Sequence, residues 1–274
     1  MGSTGRIARR GPSMRQRLNL LIASVVVALC LGRGAAGGAK ENATYPIWWS
    51  PSLELESLDK IDERLARKFR PKSKKGLPVY KGKPPDVTEA FIYSCVSYDK
   101  LRKEGYYARY NRPEQVLLYY YSFCATFEML RTAKPSRISF VNDVTLSPDI
   151  VDYLPAMVNP GVSCDMLCRQ YAANELRVPW SSFEVEKFES IDVVGPYLMR
   201  VQTRSEIISL EILARADFNE DGLEDLLIRI DAGATEGTWG TTKLYTLTRD
   251  TPDGVLWMLD AERHICPAES YTCK

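Results

Sequence analysis

The chain has 274 residues, with 36 Lys+Arg against 35 Asp+Glu and a single histidine. Six arginines and no acids lie in residues 1–39, so the remainder carries 30 basic against 35 acidic side chains, a net charge of −5. That balance excludes a general nucleic-acid binder, which needs a cationic footprint. The sole histidine, His264, argues against a His-based triad and against multi-histidine metal sites.

In chain order, Arg6, Arg9, Arg10, Arg15 and Arg17 precede an apolar run from Leu20 to Leu31, with small residues following at Ala35, Ala36, Gly37, Gly38 and Ala39. The pattern predicts a secretory signal peptide over residues 1–39. The 12-residue run is short of the ~20 residues that span a bilayer; an uncleaved anchor is the alternative. The mature chain is therefore expected to be exported, periplasmic or secreted, and not membrane-spanning. Six cysteines remain beyond residue 39: Cys95, Cys124, Cys164, Cys168, Cys266 and Cys273. An even number in an exported chain points to disulfides, for which Cys95–Cys124, Cys164–Cys168 and Cys266–Cys273 are candidates. The competing zinc site lacks C-x-x-C spacing.

Residues 40–86 are expected to hold one helix, Ser57–Phe69, with Leu58, Ile61, Leu65 and Phe69 on one face, and then a basic Pro/Lys/Gly-rich linker over Arg70–Asp86. Its cations (Arg67, Lys68, Arg70, Lys72, Lys74 and Lys75) either contact an anionic envelope polymer or are simply solvated. Helical spacing extends over 87–180. It predicts helices at 88–103 (Phe91, Cys95, Tyr98, Leu101), 114–131 (Val116, Tyr120, Phe123, Phe127, Leu130), 147–157 and 164–177. From 181 to 274 the chain becomes β-branched and partly alternating, which predicts antiparallel strands. The expected fold class is α+β, a helical N-terminal half followed by a small antiparallel β region.

Within that β region lies the most specific motif, "ADFNEDGLEDLL". Asp217, Asn219, Asp221 and Asp225 occupy positions 1, 3, 5 and 9 of a tight loop, Leu223 offers a backbone carbonyl at position 7, and Gly222 permits the turn. A hard cation such as Ca²⁺ wants six to eight oxygens, several anionic, so this pattern predicts a calcium site. The bland alternative is a solvated acidic turn. It is not an EF-hand: Ile228 stands where the bidentate glutamate belongs, and the flanks read as strands. The loop resembles those of the FG-GAP and VCBS repeat families over about residues 207–235, through the pattern D-x-[DN]-x-D-G-x-x-D followed by apolar residues. The resemblance implies calcium coordination by Asp217, Asn219, Asp221 and Asp225. Two departures stand out. Leu213-Ala214-Arg215-Ala216 replaces the usual Phe-Gly, and a single copy cannot build the propellers these repeats form.

After the loop, "DAGATEGTWGTTK" displays Trp239 between two strands, either toward a protein or glycan ligand or folded back on the sheet. Catalytic constellations are lacking: there is no G-x-S-x-G and no H-E-x-x-H. Only carboxylate pairs drawn from Glu54, Glu56, Glu184, Glu186 and Glu189 could support hydrolysis. The leading expectation is an exported interaction protein stabilised by one structural Ca²⁺, the ion fixing the loop that follows. The rival is a secreted carboxylate-dependent hydrolase whose cleft calcium shapes.

Overall fold

The first ordered strand sits where no strand was expected. In the computed structural model, which describes residues 44–69, 76–109, 111–159, 164–183 and 187–259, Trp48–Trp49 (β1) pairs antiparallel with the strand Glu206–Ala216 (β6), through Trp48↔Arg215 and Trp49↔Ala214. The side chains of 111–113, 164–165 and 167–168 are not described, so the pairing expected of Cys164 and Cys168 falls outside what is described. The described part belongs to one compact unit, Glu41–Lys274. The expected signal peptide, the basic run 70–75, Glu184, Glu186, His264, Cys266 and Cys273 all lie outside the described residues.

The expected helical N-terminal half is corrected by this structure. A short helix, Ile61–Ala66 (α1), follows a 3₁₀ turn at Leu58–Lys60. The expected linker contains a strand instead, Leu77–Lys81 (β2), which forms a hairpin with Thr88–Ile92 (β3). The helix expected from 88 begins only at Cys95 (α2, Cys95–Lys103). Ser94 sets that start through a capping box: its hydroxyl accepts from the Ser97 N–H at 3.3 Å, and the Ser97 hydroxyl accepts from the Ser94 N–H at 2.8 Å. The long helix Asn111–Thr132 (α3) follows. The segment expected as a helix at 147–157 is two 3₁₀ turns, Pro148–Asp152 and Ala156–Val158, separated at Pro155. Proline cannot continue the hydrogen-bonding pattern of a helix, and it disfavours helical backbone in the residue before it. Helices Cys164–Glu175 (α4) and Trp180–Phe183 (α5) complete the non-sheet half.

Nor is the β part small. Ser190–Gly195 (β4), Leu198–Gln202 (β5), β6, Asp225–Ala234 (β7), Gly240–Thr248 (β8) and Trp257–Met258 (β9) form one antiparallel sheet in that order, with β1 joining along β6. Among the described residues there are thus five helices and nine strands, seven of the strands in this sheet.

Both faces of the sheet are buried. Ile208, Leu210 and Ile212 of β6, Leu226, Ile228 and Ile230 of β7, and Tyr245 and Leu247 of β8 pack with Val141, Ile150, Leu154, Met157 and Trp180. On the opposite face Leu213, Ala214, Leu227 and Leu244 pack with Leu65, Phe127 and Leu130 of the helices and with Leu53 and Leu55. A bulge between Ile212 and Ala214 brings two successive residues, Leu213 and Ala214, to the helical face. Two-sided burial explains why β7 opens as a continuous apolar run, Leu226–Ile228, rather than alternating. Cys95 and Cys124 form a disulfide that ties α2 to α3.

Because α3 lies on one face and Val141 and Val144 pack on the other, the chain from 133 to 140 must pass around an end of the sheet. That end is where β6 turns into β7.

Candidate metal centre

The β6–β7 connection is the loop 217–224, with Asp225 opening β7. Asp217 sits at its root, 4% exposed, with both carboxylate oxygens accepting loop amides: Oδ1 from the Glu220 N–H at 2.7 Å and Oδ2 from the Gly222 N–H at 2.8 Å. Gly222 has φ +88° and Glu220 φ 66°, so the loop bends through two left-handed residues. Glycine accepts that conformation without a Cβ clash. Asn219 and Asp221 are exposed and hold each other, Nδ2 donating to Asp221 Oδ2 at 2.9 Å, while Asp221 Oδ1 accepts from the Leu223 N–H at 2.7 Å.

Asp225 differs from the others. It is wholly buried; Oδ2 accepts from the Phe218 N–H at 3.0 Å, but Oδ1 has no hydrogen-bond partner among the described residues. Burial pushes its carboxyl up to about 7, the Phe218 amide and the nearby Thr248 hydroxyl acting the other way and the charges of Asp221 and Asp217 adding to the rise. Thr248 Oγ1, and Thr246 Oγ1 on the same strand β8, are buried without a well-formed hydrogen bond of their own. A buried polar oxygen left unsatisfied costs about 1–3 kcal/mol, and a charged one more.

The loop is clamped from outside by the passing segment. Lys134 and Asp217 exchange backbone hydrogen bonds at 3.0 and 2.9 Å, and the Gly222 carbonyl accepts from the Arg137 and Ile138 N–H groups at 2.9 and 3.1 Å. The Ile138 carbonyl accepts from the Glu224 N–H at 2.8 Å. This pairing uses Gly222 O and Glu224 N, leaving the Leu223 carbonyl outside it. Lys134 Nζ reaches Glu220 at 2.7 Å, and Ser139 Oγ donates to the buried Glu224. Burial raises the Glu224 carboxyl above its ordinary value, with the Ser139 hydrogen bond and Arg215 opposing it. Farther along, Arg215 donates to the carbonyls of Asn142 and Val144, and Arg249 to the Phe140 carbonyl and Asp143.

The five expected ligands therefore share one loop, but not one tight cluster. Among the described residues, no three His, Cys, Asp or Glu side chains are gathered closely enough to hold a metal as they stand. Their oxygens face the loop's own amides, although each carboxylate oxygen has a second lone pair for a cation.

Trp239 is exposed at 38% on the β7–β8 connection, where Gln115 of α3 donates to the Thr238 carbonyl at 2.7 Å. It does not adjoin the acidic loop. The two loops occupy opposite ends of β7, whose ten residues span about 30 Å. Of the carboxylates considered for hydrolysis, Glu54 is engaged by Arg64 and Arg67 at 3.7 and 3.5 Å. A half-buried network that the sequence did not single out places Glu211 and Asp231 on Arg229 at 2.5 and 3.1 Å, beneath the Tyr119 ring. Only the cross-strand register reveals it. No family model, curated protein or solved structure matches this chain.

Proposed function

We propose that this is an exported interaction protein whose 217–225 loop takes up one structural Ca²⁺. One observation carries the reading: a fully buried carboxylate oxygen, Asp225 Oδ1, is left without a partner at the base of a loop holding two further aspartates. A cation would satisfy that oxygen and offset the mutual repulsion of the three acids. The residues that would hold it are Asp217, Asn219, Asp221 and Asp225 through side chains and Leu223 through its carbonyl, as the FG-GAP-like spacing suggests. Asn219 and Asp221 are exposed, so they are free to leave their mutual hydrogen bond and turn inward. The ion would supply charge neutralisation and rigidity to the turn.

What the loop braces is the passage of residues 133–140 between the two faces of the sheet. It does not brace the Trp239 loop, which Gln115 holds from α3. Trp239, exposed on that loop, is the side chain we assign to a protein or glycan partner. Export rests on the N-terminal sequence pattern; among the described residues, no helix is long and apolar enough to cross a membrane.

The test is thermal unfolding of the mature chain in chelator and in 1 mM Ca²⁺, beside Asp221→Ala. A site with a dissociation constant near 0.1 mM, within the range of extracellular modules, gains about 1.4 kcal/mol, or about 3–6 °C for a chain of this size. The variant gains nothing. An identical melting temperature for wild type with and without calcium would return the loop to an acidic turn.

A further inference from the structure

A second feature, a cavity, lies away from the 217–225 loop. About 810 Å³ opens between α1, α2 and α3, over the Cys95–Cys124 disulfide. This is within the ~300–1,000 Å³ of small-molecule sites. Its apolar wall comes from Leu65, Val96, Ala125 and Met129. Val96, 58% exposed, presents its side chain to this opening.

The charges around it are unevenly matched. Arg131 engages Asp62 and, at 3.0 Å, Glu128; Lys103 engages Asp99 at 2.6 Å. Every acid of the lining is thereby held by one of these two cations. Arg102 is the exception among the lining cations: no carboxylate among the described residues pairs with it. Its guanidinium lies 5.2 Å from the centre of the Tyr121 ring and interacts with the hydroxyls of Tyr121 and Tyr98. Two phenols orient the fork without neutralising it, so its charge is available to an incoming anion. Burial pushes the Tyr98 phenol up to about 12, while Arg102 itself is exposed to solvent.

We propose that the α1–α2–α3 cavity binds an organic anion with an apolar body, its carboxylate or sulfonate on Arg102 and its body against Val96, Ala125 and Met129. The observations are independent of calcium, so this site stands or falls separately from the loop.

Anilinonaphthalene sulfonate, titrated into the folded protein by fluorescence, is the probe. Saturable one-site binding is expected, reversed by decanoate but not by decanol, and unchanged by chelator. Arg102→Met should weaken it about tenfold or more, the loss of a charge-assisted hydrogen bond. Ala125→Trp should abolish it by filling the wall, with circular dichroism showing both variants folded. Should either variant misfold, decanoate against decanol on the wild type still decides the matter. Non-saturable binding, equal displacement by the alcohol, or full affinity in a folded Arg102→Met protein would overturn the proposal.

Discussion

Replacing Asp225 by asparagine should change stability by an amount that depends on whether calcium is present. Without calcium, the folded state holds the Asp225 carboxyl at about 7, against an ordinary value of 3.8. A raised carboxyl means that its stability contribution is complete below about pH 4 and is lost as pH rises toward and through 7. That rise corresponds to about 4 kcal/mol at alkaline pH, an upper bound because water and side-chain relaxation lessen it. The substituted amide carries no charge, and its oxygen can still accept from the Phe218 N–H. In chelator at pH 8, Asp225→Asn should therefore be more stable than wild type by about 1–3 kcal/mol; at pH 5 the gap should fall to less than half of that, closing only below about pH 4. With millimolar Ca²⁺ at pH 8 the order changes: wild type gains about 1–2 kcal/mol and the variant nothing, so the gap narrows or inverts. Urea denaturation at the two pH values, with and without calcium, measures each of these differences. The reasoning is refuted if the variant is no more stable than wild type in chelator at pH 8, or if calcium stabilises both equally.

Other expectations follow from the packing. Limited trypsin digestion should cleave after Arg137 faster in chelator than in calcium, because that residue is paired to the loop; equal rates would uncouple loop and crossover. Replacing both Cys95 and Cys124 by serine opens a loop with a sequence separation of 29 and should lower stability by about 3–4 kcal/mol on chain-entropy grounds, measured by urea midpoint. Phe127→Ala, at a wholly buried position between α3 and the sheet, should cost about 3–5 kcal/mol, read from the same midpoint. Ser139→Ala removes the hydroxyl from buried Glu224 and should cost about 1–3 kcal/mol, a loss that Glu224→Gln in the same background should partly restore.

The acidic loop was legible because its information is local. Oxygen-bearing side chains at positions 1, 3, 5 and 9 around Gly222 need only the loop's own backbone to lie near one another, and strand-like flanks follow from the β-branched and apolar runs beside them. Cys95–Cys124 was also within reach, as one of several pairs, and only the contact of α2 with α3 selected it. Periodicity misled where it reported burial without shape. Phe91 and Cys95 sit four apart as on a helix, yet Phe91 lies in β3, paired with β2, and the helix starts after the Ser94 cap. Trp48–Trp49 gives no local sign of being a strand, since its partners, Arg215 and Ala214, lie far along the chain.

The amino-acid sequence by itself placed five oxygen donors on one tight turn, because spacing within a turn is local information. It could not decide what that turn holds in place. The approach of Lys134–Ser139 to the loop, the lack of a partner for one buried carboxylate oxygen, and the placement of Trp239 at the far end of β7 depend on how the sheet is ordered and which face each helix covers. Those choices are made by non-local burial on both faces of the sheet, and no short stretch of the chain encodes them.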